Sequence, residues 1–268
     1  MKNFGIALLF FFLIGFSSCE RELIISPENT DSPLLTKEIF SEELYIEYTW
    51  NNQNLVSESK SKYFYTSYTY DSNNQLTSYD MYEDSRIYSS SSYVLQEAMN
   101  RQEWVSPENT EISGRGFYTY KQGKLAKIEV QRFLNDSKNF SEFEQDENGR
   151  ISKQTFFSEE KPSGYIEYQY DNSGNLILRN QFYLVNGKEV LSSSTTYEFD
   201  DKKNPFKAFQ RLLIPGRYTN ENNIVKETLT LAEPVPGVDQ IQVTESVYEY
   251  NDLDYPVLKD NMIRYEYK

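Results

Sequence analysis

One phrase recurs along this chain and constrains its fold more than any other feature: an aromatic residue, a polar one, a second aromatic, then aspartate or asparagine, two polar residues, glycine, and a hydrophobe two places on. It is plainest as "YQYDNSGNL" from Tyr168. Variants begin at Tyr48 ("YTWNNQNL"), Tyr68 ("YTYDSNNQL"), Tyr118 ("YTYKQGKL"), Phe143 ("FEQDENGRI"), Tyr197 ("YEFDDKKNPF") and Tyr248 ("YEYNDLDYPV"), and "YEYK" closes the chain from Tyr265. The copies are irregularly spaced, which describes a run of hairpins and not a solenoid of fixed period.

Each part of the phrase has a physical meaning. Residues two apart on a strand share a face. Tyr68 and Tyr70, Tyr168 and Tyr170, Tyr197 and Phe199, and Tyr248 and Tyr250 therefore point one way, while Thr69, Gln169, Glu198 and Glu249 point the other. One face is aromatic and the other wet, as in an antiparallel sheet covered on one side. The aspartate and glycine fit a type I turn, with Asp146 and Asp171 accepting backbone N–H bonds and Gly149 and Gly174 supplying positive φ. Asn74 takes the glycine place after Asp71. The phrase is a strand–turn–strand unit.

The chain has 23 Tyr and 17 Phe among 268 residues, so its core must be built from rings. Aromatics at 16% also argue against disorder. The expected fold is all-β: an antiparallel meander of hairpins forming a strongly curved sheet or open barrel, with a two-layer β-sandwich as the alternative. No convincing amphipathic helix is present to cover the aromatic face. The best candidate, "YVLQEAMNRQEW" from Tyr93, reads equally well as a strand.

Composition excludes much chemistry. There is no histidine, which removes imidazole bases, histidine metal sites and the usual triads. The only cysteine is Cys19, so no internal disulfide or thiolate metal cluster can form. A formal net charge of −14 repels phosphate backbones, and nucleic acid is not an expected partner. Glycosidase chemistry needs only two carboxylates, but with 41 acids no pair can be nominated. "DNSGN" from Asp171 offers oxygens at alternate positions, yet it lacks the distal bidentate acid of a calcium loop and reads as a turn. "SSSS" from Ser89 lacks the context of a nucleophile elbow.

The first residues, "MKNFGIALLFFFLIGFSSC", place Lys2 before an apolar run that is too short for a permanent span but suits a secretory leader. Small residues then precede Cys19, and the arrangement resembles a bacterial lipoprotein signal, which implies cleavage before Cys19 and its lipidation. Multiple acylation supplies the strong anchoring that one chain cannot. The expected organisation is a signal peptide at 1–18, a tether at 19–39 and one β-hairpin domain at 40–268.

The "Y-x-Y-D-x-x-G-N-L" pattern looks like the YD repeats of Rhs-type shell proteins. Together with the leader, "NPFKAF" from Asn204, "NNIVKE" from Asn222 and "YEYNDLDYPV", it more closely resembles the uncharacterised Bacteroidetes lipoproteins whose β domain is porin-like. That resemblance implies an outer-membrane lipoprotein, facing periplasm or exterior, and carries no catalytic residues. A transmembrane barrel is not implied, because the alternate strand face carries Thr, Gln, Ser and Glu where lipid would require an apolar band. The expected role is binding or scaffolding without enzymatic activity and without a cofactor. The membrane is engaged through Cys19, and a glycan or an envelope protein is a possible partner. A carbohydrate-active enzyme with two carboxylates is the alternative. Trp50 and Trp104 are the rings to examine first as sugar platforms, and the loops 215–223 and 234–240, which break the phrase, are where a local function is expected. Oligomeric state is left open.

Overall fold

Five turns of the repeated phrase fold identically, and they set the architecture. At Asn51, Asp71, Asp146, Asp171 and Asn251 the backbone N–H donates to the carbonyl four residues on. The side-chain Oδ1 accepts the N–H of that same fourth residue at 2.8–3.0 Å in every case. The fourth turn position has positive φ throughout: Asn54 at 56°, Asn74 at 60°, Gly149 at 78°, Gly174 at 99° and Asp254 at 65°. Asn and Asp tolerate that region better than other non-glycine residues, which is why the glycine of the phrase is replaceable by these two.

The computed structural model describes residues 32–268. Seventeen strands form one sheet. They are β1 (Leu35–Ile39), β2 (Tyr45–Trp50), β3 (Val56–Lys60), β4 (Phe64–Tyr70), β5 (Leu76–Glu83), β6 (Ile112–Lys121), β7 (Lys124–Arg132), β8 (Ser137–Gln145) and β9 (Ile151–Ser158). There follow β10 (Lys161–Tyr170), β11 (Leu176–Val185), β12 (Lys188–Lys203), β13 (Asn222–Leu231), β14 (Ile241–Glu245), β15 (Tyr248–Tyr250), β16 (Pro256–Lys259) and β17 (Ile263–Tyr267). Every ladder is antiparallel and joins neighbours in sequence, except that β17 also pairs with β1. The segment open between helix and strand is helical, as α1 (Ser92–Met99) in the excursion between β5 and β6.

A register shift falls at the second ring of the phrase, between Thr49/Trp50, Thr69/Tyr70, Thr119/Tyr120 and Gln169/Tyr170 among others. Such a bulge takes backbone groups out of the ladder, and buried groups must find other partners. The second ring of the phrase provides them. Tyr70 donates its hydroxyl to the carbonyl of Val56 at 2.8 Å, Tyr120 to Leu76 at 2.9 Å and Tyr170 to Ile151 at 2.7 Å. Trp50 Nε1 does the same for Leu35 at 2.8 Å. Each accepting residue is buried and opens a strand. The phrase thus links one hairpin to the strand beside it.

The all-β meander expected from the sequence is the fold. The sheet is not closed into a barrel, nor curled tightly enough to cover its own aromatic face, and among the described residues no second sheet stands opposite it. Covering falls to the segment 204–220, inserted between β12 and β13 and containing a 3-10 helix, Lys207–Leu212. Its Phe206, Phe209 and Leu212 pack with Leu35, Tyr48, Trp50, Val56, Leu76 and Tyr265, while Leu213 joins a second cluster around Leu125, Ile151, Ile166, Tyr168 and Leu176. Buried asparagines fasten this segment. Asn204 Nδ2 donates to the carbonyls of Arg217 and Asn220 at 2.9 Å each, and Asn220 Oδ1 accepts the N–H of Leu176 at 2.7 Å.

The opposite face is wet. Ion pairs Lys37–Glu47–Lys60, Lys127–Glu129–Lys138 and Lys226–Glu198 run along it, all but Lys127–Glu129 crossing between strands.

The boundary expected at residue 40 is corrected: the folded unit begins at Pro33. "LLTKEIF" shows no sustained alternation, yet β1 sits between β2 and β17, with Leu34, Leu35 and Glu38 buried. The charged Glu38 hides the pattern because its carboxylate is neutralised from a distance, by Arg217. The leader 1–18, Cys19 and the tether up to residue 31 lie outside the described residues.

Candidate binding cleft

Two openings of more than 500 Å³ lie beside the segment that covers the sheet. The larger, about 560 Å³, lies over the inner face of β4 to β9. Tyr68, Tyr79, Tyr118, Phe143, Phe156 and Tyr218 line it together with the stacked pair Phe140 and Phe157, and Ile128, Val130, Leu212 and Ile214 form its aliphatic wall. Thr66, Asn139, Ser141, Gln154, Ser158 and Ser163 add neutral polar groups. Among the described residues lining it there is no Asp, Glu, Lys or Arg, in a chain that is 25% charged. Such a volume is within the range of small-molecule sites.

Local sequence explains the wall. Tyr79 on β5 stands opposite Gly116 on β6, and a Cβ at Gly116 would fall 2.2 Å from the Tyr79 ring. Only glycine lets that ring lie flat across the neighbouring strand, edge-on to Tyr118 at 6.1 Å between centroids. Burial raises the hydroxyl pKa of Tyr79 and Tyr218, and that of Tyr68 to about 12, so all three are neutral phenols near pH 7. Tyr118 is raised further, again chiefly by burial.

The second opening, about 510 Å³, shares Ile128, Phe143, Gln154 and Ile214 with the first. Beyond them it is lined by Tyr168, Tyr197, Arg179, Arg217 and Glu227. Gln154 stands on the shared floor, donating to Ser141 Oγ at 3.2 Å and accepting from the Tyr168 hydroxyl at 3.0 Å.

The residues singled out in the sequence fare differently. Trp50 is core, edge-on to Phe209 at 4.7 Å. Trp104 packs on Tyr45 at 4.7 Å, away from the cleft. Asp171 spends one oxygen on the Asn175 N–H and the other on its side-chain amide at 3.2 Å, so "DNSGN" is a turn in the structure. Among the described residues no group of three potential metal ligands comes together. Loop 215–223 crosses the aromatic face and contributes Tyr218 to the cleft, whereas 234–240 is an exposed hairpin tip that lines neither opening.

Two acids share a cavity in two places. Glu38 and Glu227 line one of about 310 Å³, where Glu38 is already held by Arg217 and the Tyr48 hydroxyl. Glu142 and Glu144 line a groove with Lys121, Lys124 and Lys127.

The charge-free cleft itself was not legible in the sequence. Its one signal was "GRGFY" from Gly114, two glycines within a strand, the mark of a close approach by a neighbouring group.

No protein-family model matches the chain, and no curated protein matches it. Among solved structures, it is similar to a porin-like protein from Bacteroides uniformis, at 11% identity and a TM-score of 0.41, over 87% of this chain and 98% of that one. A porin-like protein from Bacteroides vulgatus is similar at 11% identity and a TM-score of 0.38, over 88% and 98%. The Photorhabdus luminescens Tc holotoxin pore matches at 12% identity and a TM-score of 0.30 over 77% of this chain, which spans only 10% of that one.

Proposed function

We propose that this chain is a non-enzymatic binding protein that takes an uncharged ligand into the cleft beside Tyr79, Tyr118 and Tyr218, and that it is held at the outer membrane of a Gram-negative envelope by a lipid on Cys19. One observation carries the binding reading: a ring-lined cleft without a single charge, in a protein of net charge −14. Burying an ion there without a partner would be costly, whereas a neutral molecule meets rings and neutral donors. Catalysis by two carboxylates has no support in this cleft, because it contains none.

Calorimetric titration of the full-length protein with small uncharged and charged compounds tests the reading. Uncharged compounds are expected to bind, and Gly116→Ala, which displaces Tyr79, is expected to weaken them by ~10-fold or more. Preferential binding of charged compounds, or Gly116→Ala binding like the parent, would overturn it.

The anchor rests on the lipoprotein-like leader ending in the chain's sole cysteine. Cys19→Ala is expected to move the protein from the membrane to the soluble fraction. Membrane fractionation unchanged by Cys19→Ala would contradict the anchor.

A further inference from the structure

We infer that the ligand of this cleft is a neutral oligosaccharide. The inference rests on the binding reading above and adds to it the chemistry of the occupant.

Polar groups left without partners decide the class. Among the described residues, the hydroxyls of Tyr79, Tyr118 and Tyr218 make no hydrogen bond, and that of Tyr68 meets only Ser59 Oγ, at 3.2 Å. An acyl chain or other dry occupant would strand these phenols away from water, and each stranded hydroxyl carries a desolvation cost. A sugar would satisfy them, because a phenol both donates and accepts and so does each sugar hydroxyl. Tyrosine also offers an apolar ring face beside that polar tip, which matches a pyranose: C–H groups on its faces, hydroxyls on its rim.

Charge narrows the class further. An acidic oligosaccharide brings a carboxylate on every ring, and the first opening holds no cation to pair with those seated in it. An amino sugar with a free ammonium lacks an acid for the same reason. Neutral rings remain.

Extent argues for more than one ring. The two openings adjoin along Ile128, Phe143, Gln154 and Ile214, so a ligand longer than one ring would extend from the first toward the second. There Arg179, Arg217 and Glu227 stand as charged hydrogen-bonding partners for hydroxyls at one end of the ligand.

The test titrates the full-length protein with neutral hexasaccharides (gluco-, xylo- and manno-configured), with hexagalacturonate and with dodecanol. It is repeated on the variant Tyr79→Phe/Tyr118→Phe/Tyr218→Phe, which keeps every ring and removes the three hydroxyls; its melting temperature checks that it folds. At least one neutral hexasaccharide is expected to bind, hexagalacturonate is not, and the triple variant is expected to bind the saccharide ~10-fold or more weakly. Dodecanol binding that the variant leaves unchanged or tightens, with no saccharide bound, would overturn the sugar assignment and leave the binding reading standing. Saccharide binding unaffected by the variant, or preference for hexagalacturonate, would overturn the assignment too. No binding by any of the three classes would overturn both.

Discussion

Phe209→Ala is expected to destabilise the protein by about 3–5 kcal/mol, the usual cost of emptying a packed phenylalanine site. Phe209 is 1% exposed and sits where the covering segment meets the sheet. Its ring lies 4.7 Å from Tyr48, 4.7 Å from Trp50 and 5.5 Å from Tyr218. These neighbours stand on β2 and on the segment's own return, so collapse from one side cannot refill the hole. Chemical denaturation should show the loss as a lower midpoint with an unchanged slope. The exposed Leu253 is the control: Leu253→Ala should shift stability by no more than about 0.5 kcal/mol. A loss under about 1 kcal/mol for Phe209→Ala would mean that segment 204–220 does not hold the sheet's inner face.

The second large effect is an asymmetry within one ion pair. Glu38 is buried on β1, and its carboxylate accepts from Arg217 Nη2 at 2.6 Å and from the Tyr48 hydroxyl. The Arg217 side chain is half exposed and lies over the Phe206 ring at 4.1 Å. Removing arginine strands a buried carboxylate with one phenol for company, whereas altering Glu38 leaves a cation that can turn to water. Arg217→Ala is therefore expected to cost about 2–4 kcal/mol, near the lower edge of the range for breaking a buried pair because arginine is partly solvated. Glu38→Gln keeps acceptor and shape and should cost about 1 kcal/mol. Equal costs, or the reverse order, would contradict this account of how the segment is tied to β1.

Particular residues show why some of this was legible in sequence and some was not. Local rules sufficed for the phrase. Tyr168 and Tyr170 share a face because strands alternate, and Asp171 with Gly174 closes a turn because a carboxylate can accept the N–H groups that a turn leaves free. Long-range partners were not legible. Nothing in "LTKEI" signals that a residue 179 positions away neutralises Glu38, so the sequence alone reads β1 as tether. Asn204 and Asn220 looked like loop residues, since nothing local says that they are buried and joined to each other and to Leu176. The cleft was hidden for the same reason: Tyr79, Gly116 and Tyr218 come together only through sheet register and the path of the inserted segment.

Most tyrosines of the repeated phrase are interior structure, with Tyr68 and Tyr118 also facing the cleft in which we propose that binding takes place. A spectrophotometric titration of tyrosinate tests this interior placement most directly. Burial raises the hydroxyl pKa of Tyr68, Tyr120, Tyr168 and Tyr248 to about 12, and carries Tyr70, Tyr118, Tyr170, Tyr265 and Tyr267 higher still. In the unfolded chain phenols ionise near pH 10. The folded state therefore holds these protons longer; their contribution to stability is complete below about pH 10 and is lost as pH rises through about 12. At about pH 11 the native protein is expected to show a plateau well short of its 23 tyrosines, with the remainder appearing only on unfolding, while the denatured chain titrates in one step. A native curve that superimposes on the denatured one would place these rings in water and contradict the account.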